Sequence, residues 1–373
     1  MMKTVFVLTA MLLLLFIACD RGPQAPFDPE DQVVIHGRYF DADGNAYSTR
    51  WIGYWINSPE SFFTNYFGFD PEESTQTDEN GNYSEDFMGE DLMDAGGATF
   101  KIGVMNYDTN FPDTIPHVLT YFYPLDVDIE VPDVTLWDGN PSVSFSSSDV
   151  TFSWDPRSDL SIELSDYVFR MRATQDGPAF NLWVENTGTN TSLTLPAYVL
   201  PEVYIEKWRV IAHYAAPSDN DFGYYYMTRP DTTPIPDDPY ALLSLGANCY
   251  AEAYPDTFRN ATDGKWGPWP IGCVSFLATN VSWIYVDLGA SDTVNAVVMY
   301  GLGTTGTAAN EGYEVYVADD TVNWGTPVAE ISEMDDYFYL DGFTAEGRYV
   351  KLEAKDAGIG ITGFREFCIF GPQ

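Results

Sequence analysis

Short runs of alternating apolar and polar residues begin at Val33 and recur to the end of the chain. Tyr167, Phe169, Met171 and Ala173 fall on one side of a run whose other side holds Val168, Arg170 and Arg172. Trp208, Val210, Ala212 and Tyr214 alternate in the same way with Lys207, Arg209, Ile211 and His213. Side chains of an extended strand point to opposite faces in turn, so a period of two predicts strands with one buried face. Between the runs lie turn signals, among them Asp43-Gly44 and Asn80-Gly81. In a two-residue hairpin turn both central residues take positive φ, which favours Asn-Gly and Asp-Gly. A helical period is hard to find over any long stretch. The pattern predicts an all-β protein.

The first residues break this pattern. Lys3 carries one positive charge, and Val5 to Ala18 is almost wholly apolar, shorter than the roughly 20 residues that span a bilayer. The run reads as a removable export signal, residues 1–18. It closes with Phe16-Ile17-Ala18-Cys19, which resembles the lipobox of bacterial lipoproteins, a small residue followed by cysteine. That resemblance implies lipidation of Cys19, because the thiol is the nucleophile that accepts a diacylglyceryl group. Two or three acyl chains, at about 0.8 kcal/mol per buried methylene, anchor a protein where one chain does not. The implied location is the bacterial cell envelope, lipid-anchored, with the outer membrane or cell surface favoured over the inner membrane. Asp20 follows the cysteine, and in some bacteria that residue retains lipoproteins at the inner membrane. Residues 19–31, rich in Pro and acid, cannot build a core and read as a tether.

Charge narrows the partners. The chain has 17 Lys+Arg against 56 Asp+Glu, a formal net charge of −39, and the basic residues are scattered singly along it. Phosphate binding needs clustered Lys and Arg, so nucleic acid is excluded as an expected partner. A surface this acidic keeps the protein soluble and would be relieved by salt or divalent cations.

Three blocks follow the tether. Residues 32–136 contain Val34-Ile35-His36-Gly37-Arg38-Tyr39-Phe40-Asp41-Ala42-Asp43-Gly44-Asn45 and Thr77-Asp78-Glu79-Asn80-Gly81-Asn82-Tyr83, which resemble a carboxypeptidase regulatory-like (transthyretin-like) sandwich. Residues 137–230 hold Phe152-Ser153-Trp154-Asp155-Pro156 and the two alternating strands above. They resemble a fibronectin type III sandwich with Trp154 in its core. Residues 231–239 are a stiff, proline-rich linker.

Residues 240–373 carry an ordered series of segments. These are Leu243-Ser244-Leu245-Gly246-Ala247-Asn248, Asn260-Ala261-Thr262-Asp263-Gly264-Lys265, Ser282-Trp283-Ile284-Tyr285-Val286-Asp287-Leu288-Gly289, Tyr313-Glu314-Val315-Tyr316-Val317 with Asn323-Trp324, Arg348-Tyr349-Val350-Lys351-Leu352, and Glu366-Phe367-Cys368-Ile369-Phe370-Gly371. The series resembles a coagulation-factor type C, or discoidin, domain, a β-sandwich jelly roll shared with many galactose-binding-like carbohydrate modules. The resemblance implies a structural calcium ion held by Asp263 and Glu366, since a hard cation takes oxygen donors. It also places Trp283 and Trp324 in the core. This chain departs from the family in following Asp-Gly with Lys265-Trp266-Gly267-Pro268-Trp269. Trp266 and Trp269 sit in a Gly/Pro-containing loop with little room for a core role; flat indole faces suit a sugar ring, and Arg259 and Asn260 nearby could bind hydroxyls. These four are the expected ligand-binding residues.

Cys249, Cys273 and Cys368 remain once Cys19 is lipidated, an odd set. The resemblance brings first and last strands together, which favours a Cys249–Cys368 disulfide; spacing alone leaves Cys249 with Cys273 open. His36, His117 and His213 are the only histidines and lack metal-ligand spacing. Neither a Gly-x-Ser-x-Gly nucleophile motif nor a phosphate-cradling glycine loop is present. The expected function is therefore non-catalytic binding of polysaccharide or glycan for adhesion or nutrient capture. The alternative is a structural or assembly lipoprotein contacting other envelope proteins.

Overall fold

The computed structural model of the protein describes residues 30–55, 73–89, 100–104, 117–122, 128–157, 163–174, 180–200, 204–215, 222–228, 231, 233, 241–252, 261–264, 282–300, 303–305, 312–331, 337–355, 360–363 and 366–372. The fold is all-β, its strands arranged in several sheets, and the chain divides into two compact units.

The first unit takes residues 1–140, 155–167 and 211–230. Its strand Gln32–Phe40 pairs antiparallel with Asn82–Met88 and parallel with Asp128–Glu130. A second sheet includes, in order, Glu73–Gln76, Trp51–Trp55, Phe100–Val104, His117–Phe122 and Gly223–Met227. Rings fill the space between: Tyr54 lies 5.3 Å from Phe87, and Phe87 lies 5.4 Å from Phe100. The pairing of His117–Phe122 with Gly223–Met227, Thr120 opposite Tyr224, brings a late segment of chain into an early sheet. The two Gly turns differ from the expectation that both central residues take positive φ. Only Gly44 and Gly81 do, at 82° and 80°. In each turn an aspartate, Asp41 or Asp78, accepts the N–H groups of the residues two and four places on, so the aspartate shapes the loop and only the glycine needs the left-handed region. At Gly81 the carbonyl oxygen of Tyr39 lies where a Cβ would sit.

The second unit takes residues 141–154, 168–210 and 231–373. Its first part sets Asp149–Ser153, flanked by Ser142–Phe145 and Ser192–Pro196, across from residues 168–174 and 204–210. Phe152 lies 4.7 Å from Phe169 and 5.0 Å from Trp208. The expected face of Tyr167, Phe169, Met171 and Ala173 is buried, as are Trp154 and Val210. On the opposite face Arg170 and Arg209, far apart in sequence, are close enough to repel. Burial and Arg209 together push Arg170 down to about 10, and both arginines are almost wholly removed from solvent.

The C-terminal part is a sandwich of two sheets. One, here called the inner sheet, runs Ala241–Leu242, Glu366–Gly371, Ala296–Tyr300, Tyr337–Leu340; the outer sheet runs Asn248–Ala251, Trp283–Val294, Ala345–Ala354, Tyr313–Ala318, Ala329–Ile331. Their shared core contains Ile284, Val286, Val297, Met299, Tyr313, Val315, Val350, Leu352, Phe367 and Ile369. The other side of the inner sheet packs on the first part of the unit. Tyr300 donates a hydrogen bond to the carbonyl of Val199 at 2.6 Å, Tyr198 donates to Asp341 Oδ2 at 2.7 Å, and Trp183 meets Tyr300 edge-on at 6.0 Å. Phe370 lies 5.4 Å from Tyr198. Ala296–Tyr300 and Glu366–Gly371 are accordingly buried at every position.

Candidate functional site

A turn at one corner of the C-terminal sandwich locks onto the start of its last strand. Thr262 Oγ1 donates to the carbonyl of Ala247 at 2.6 Å, and the Phe367 N–H donates to the carbonyl of Ala261 at 2.8 Å. Gly264 follows with φ of 72°, and its N–H donates to Glu366 Oε1 at 2.9 Å. Asp263, between them, is near enough for its charge to act on Glu366. Glu366 is 1% exposed, and its Oε2 has no hydrogen-bond partner among the described residues. Burial raises its pKa well above the ordinary glutamate value, the Gly264 N–H opposes that shift, and the Asp263 charge adds to it. A buried carboxylate with one oxygen unsatisfied is costly unless a proton or a cation joins it. The two residues expected to hold calcium therefore do come together, and the orphaned oxygen fits such an ion. Among the described residues no group of three or more His, Cys, Asp or Glu gathers.

The expected Cys249–Cys368 disulfide is not formed: both are buried free thiols. Cys249 points into the sandwich core from the outer sheet. Cys368 lies between the core residues Phe367 and Ile369 in sequence, so strand alternation turns its thiol to the opposite face of the inner sheet. Burial pushes both thiols up in pKa, and the nearby Glu366 charge adds to the effect. Arg259, Asn260, Trp266, Trp269, Cys19 and Cys273 lie outside the described residues. His36 faces Asp128 at 3.2 Å and His213 faces Asp166 at 3.8 Å.

Trp283 and Trp324, expected in the core, are not in it. Ile284 and Val286 take the core side of the Trp283 strand, which leaves Trp283, Tyr285 and Asp287 on the outer face, half-buried. Tyr285 is the hub of that face, with Tyr250 stacked at 5.0 Å, Trp283 stacked at 5.7 Å, Trp324 at 5.7 Å and Tyr349 edge-on at 5.9 Å. Arg348 grips Asp287 with Nε and Nη2 at 2.6 and 2.7 Å, and the Arg348 hydrogen bonds hold the Asp287 carboxyl below the usual aspartate range. Alternation reveals that these residues share a face, but not that the face is turned outward.

Residues 247–367 match the family model of the F5/8 type C domain. The C-terminal sandwich is thus a discoidin-type domain, about a third of the chain. No curated protein matches the chain. Among solved structures it is similar to chitosan-binding module 1 of a chitosanase/glucanase from Paenibacillus sp. IK-5, at 22% identity over 35% of this chain and 99% of that one, with a TM-score of 0.26. It is also similar to a Streptococcus pneumoniae fucose binding module, at 21% identity over 36% of this chain and 97% of that one, with a TM-score of 0.27. A third is CpGH89CBM32-6 of Clostridium perfringens, at 14% identity over 35% and 98%, TM-score 0.26.

Proposed function

We propose that the chain is a lipid-anchored protein of the bacterial cell envelope that binds carbohydrate without catalysis, for adhesion or polysaccharide capture. The match of residues 247–367 to the F5/8 type C domain carries this reading. In it, the loop bearing Trp266 and Trp269, with Arg259 and Asn260, contacts the glycan. Asp263 and Glu366 would hold a structural calcium, whose charge stabilises the corner that supports this loop; the remaining donors would be carbonyls or residues outside those described. Cys19 would carry the acyl chains that fix the protein to the membrane.

The test is a glycan array probed with the full chain, in calcium and in chelator. A bound glycan is expected, and calcium should raise the melting temperature of wild type but not of Asp263→Ala. Truncating a stacking indole at a binding centre costs about 2 kcal/mol, roughly thirtyfold in affinity. Trp266→Ala or Trp269→Ala should therefore weaken binding with little change in melting. Full affinity in both variants would remove this loop from the site, and no glycan bound at all would remove the function.

A further inference from the structure

The outer sheet carries a row of side chains four strands wide. Tyr250, Tyr285, Lys351 and Tyr316 stand directly opposite one another on successive strands. With strands about 4.8 Å apart, the row runs roughly 14 Å across the sheet. Tyr285 is its fixed centre, enclosed by other rings, and Tyr250 is its open end. That tyrosine lies on the edge strand of the sheet, is 36% exposed, and has Tyr285 as its ring neighbour.

Trp324 stands over the same row. The preceding loop is shaped by Asp320, whose Oδ1 accepts the N–H groups of Val322 and Asn323. This Asx turn delivers the indole to within 5.7 Å of Tyr285, and Lys351 Nζ lies 4.9 Å from its ring centre. The Lys351 ammonium also lies 4.4 Å from the Tyr316 ring, so a cation–π contact on each side fixes the lysine and the two rings together. Trp324 keeps partial exposure in this setting.

Each cation on the face is paired with a carboxylate, and Glu314 accepts from the Tyr316 hydroxyl besides. Lys351 donates to Glu353, and Arg348 is held in its two-pronged pair with Asp287. An anionic polymer would find each of these cations already matched and would approach a chain of net charge −39, which repels it. What remains is a rigid strip of aromatic surface edged with phenol hydroxyls and carboxylates. Such a strip is complementary to a ligand that is uncharged, has flat CH-lined faces, and is rich in hydroxyl groups, which is the chemistry of a neutral polysaccharide.

We propose that the outer face of the five-stranded sheet is a second carbohydrate-binding surface, where Tyr250 and Trp324 take an uncharged polysaccharide chain laid across the strands. It rests on the reading of this domain as glycan-binding, but uses residues separate from the loop of Trp266 and Trp269. The length of the row suits a chain of several sugar units better than a single sugar.

Affinity electrophoresis of the full chain, in gels containing a soluble β-glucan, a galactomannan, a xyloglucan or the polyanion alginate, tests this. Retardation by at least one neutral polymer and not by alginate is expected. Tyr250→Ala and Trp324→Ala should each weaken it about tenfold, while Trp324→Phe, which keeps a ring, should retain most of it. Melting curves confirm that the variants are folded; should Trp324→Ala unfold, Tyr250→Ala on the edge strand is read alone. Loss confined to the face variants supports the second surface and removes the loop site. Loss in both sets supports both surfaces. Loss confined to Trp266→Ala and Trp269→Ala overturns the second surface and leaves the loop site standing. Retardation by alginate alone overturns the choice of a neutral ligand, and no retardation in any gel overturns both sites.

Discussion

The two sheets of the C-terminal sandwich share one core and differ in what lies behind them. The inner sheet is pressed between that core and Trp183, Tyr198 and Val199. Its central strands read Ala-Val-Val-Met-Tyr and Glu-Phe-Cys-Ile-Phe, runs in which alternation nearly vanishes because both faces are covered. Among the described residues, the outer sheet has core on one side only. There Ile284, Val286, Val350 and Leu352 are buried, while Trp283, Tyr285, Tyr349 and Glu353 between them are half-buried. The same domain therefore has one face that holds the unit together and one that, among the described residues, carries no second layer. The core is mostly aliphatic, with Tyr313, Phe338 and Phe367 among it, while Tyr300 and Phe370 of the inner sheet go to the interface and Trp283, Tyr285 and Tyr349 of the outer sheet stay half-buried.

If the inner sheet is structural on both faces, its outward aromatics should cost far more to remove than those of the outer sheet. Tyr300→Ala deletes a ring packed on Trp183 and the donor to the Val199 carbonyl, so chemical denaturation should show a loss of about 3–5 kcal/mol. Tyr349→Ala, on the outer face, should cost under about 1 kcal/mol, the scale of a cross-strand pair. Similar losses in the two variants would erase the distinction between the sheets.

A smaller effect sharpens the comparison at the corner where the sheets meet. Folded Glu366 holds its proton to a higher pH than it does in the unfolded chain, because burial disfavours its ionised form. This residue therefore favours the folded state below the ordinary glutamate value of 4.5, and that contribution is lost as pH rises through the folded value. In chelator, Glu366→Gln should equal wild type near pH 4 and exceed it in stability at pH 8 by about 1–3 kcal/mol, the cost of an ionised group left short of partners. Calcium at pH 8 should stabilise wild type and not the variant. Parallel pH profiles for the two proteins, in chelator and in calcium, would remove both the raised pKa and the cation.

Much of this architecture could be read from residue patterns. The alternating segments around Phe169 and Trp208 are strands with the expected buried faces, because a two-residue period leaves a strand little choice once one face must be buried, and the segments around Ile284 and Val350 are strands as well. The meeting of Asp263 and Glu366 also followed from matching short segments to the discoidin pattern. Period alone did not distinguish inside from outside where both faces carry large apolar groups. Trp283 and Tyr285 are large and mostly apolar, Ile284 and Val286 wholly apolar, and the choice is made by packing against the opposite sheet. The Cys368 thiol was misplaced for the same reason, since proximity of strands does not specify which face a side chain takes. The gathering of Arg170 with Arg209 was hidden because the two lie on different strands, and only sheet order makes them neighbours.

Hydroxyl-radical footprinting of the full chain compares the two faces most directly, since it reports side-chain exposure ring by ring in one experiment. The account predicts rapid oxidation of Tyr250, Tyr349 and Trp324 and strong protection of Tyr198, Tyr300 and Phe370. Protection of the outer-sheet rings, or oxidation of Tyr300 and Phe370 at the rate of Tyr250, would contradict it.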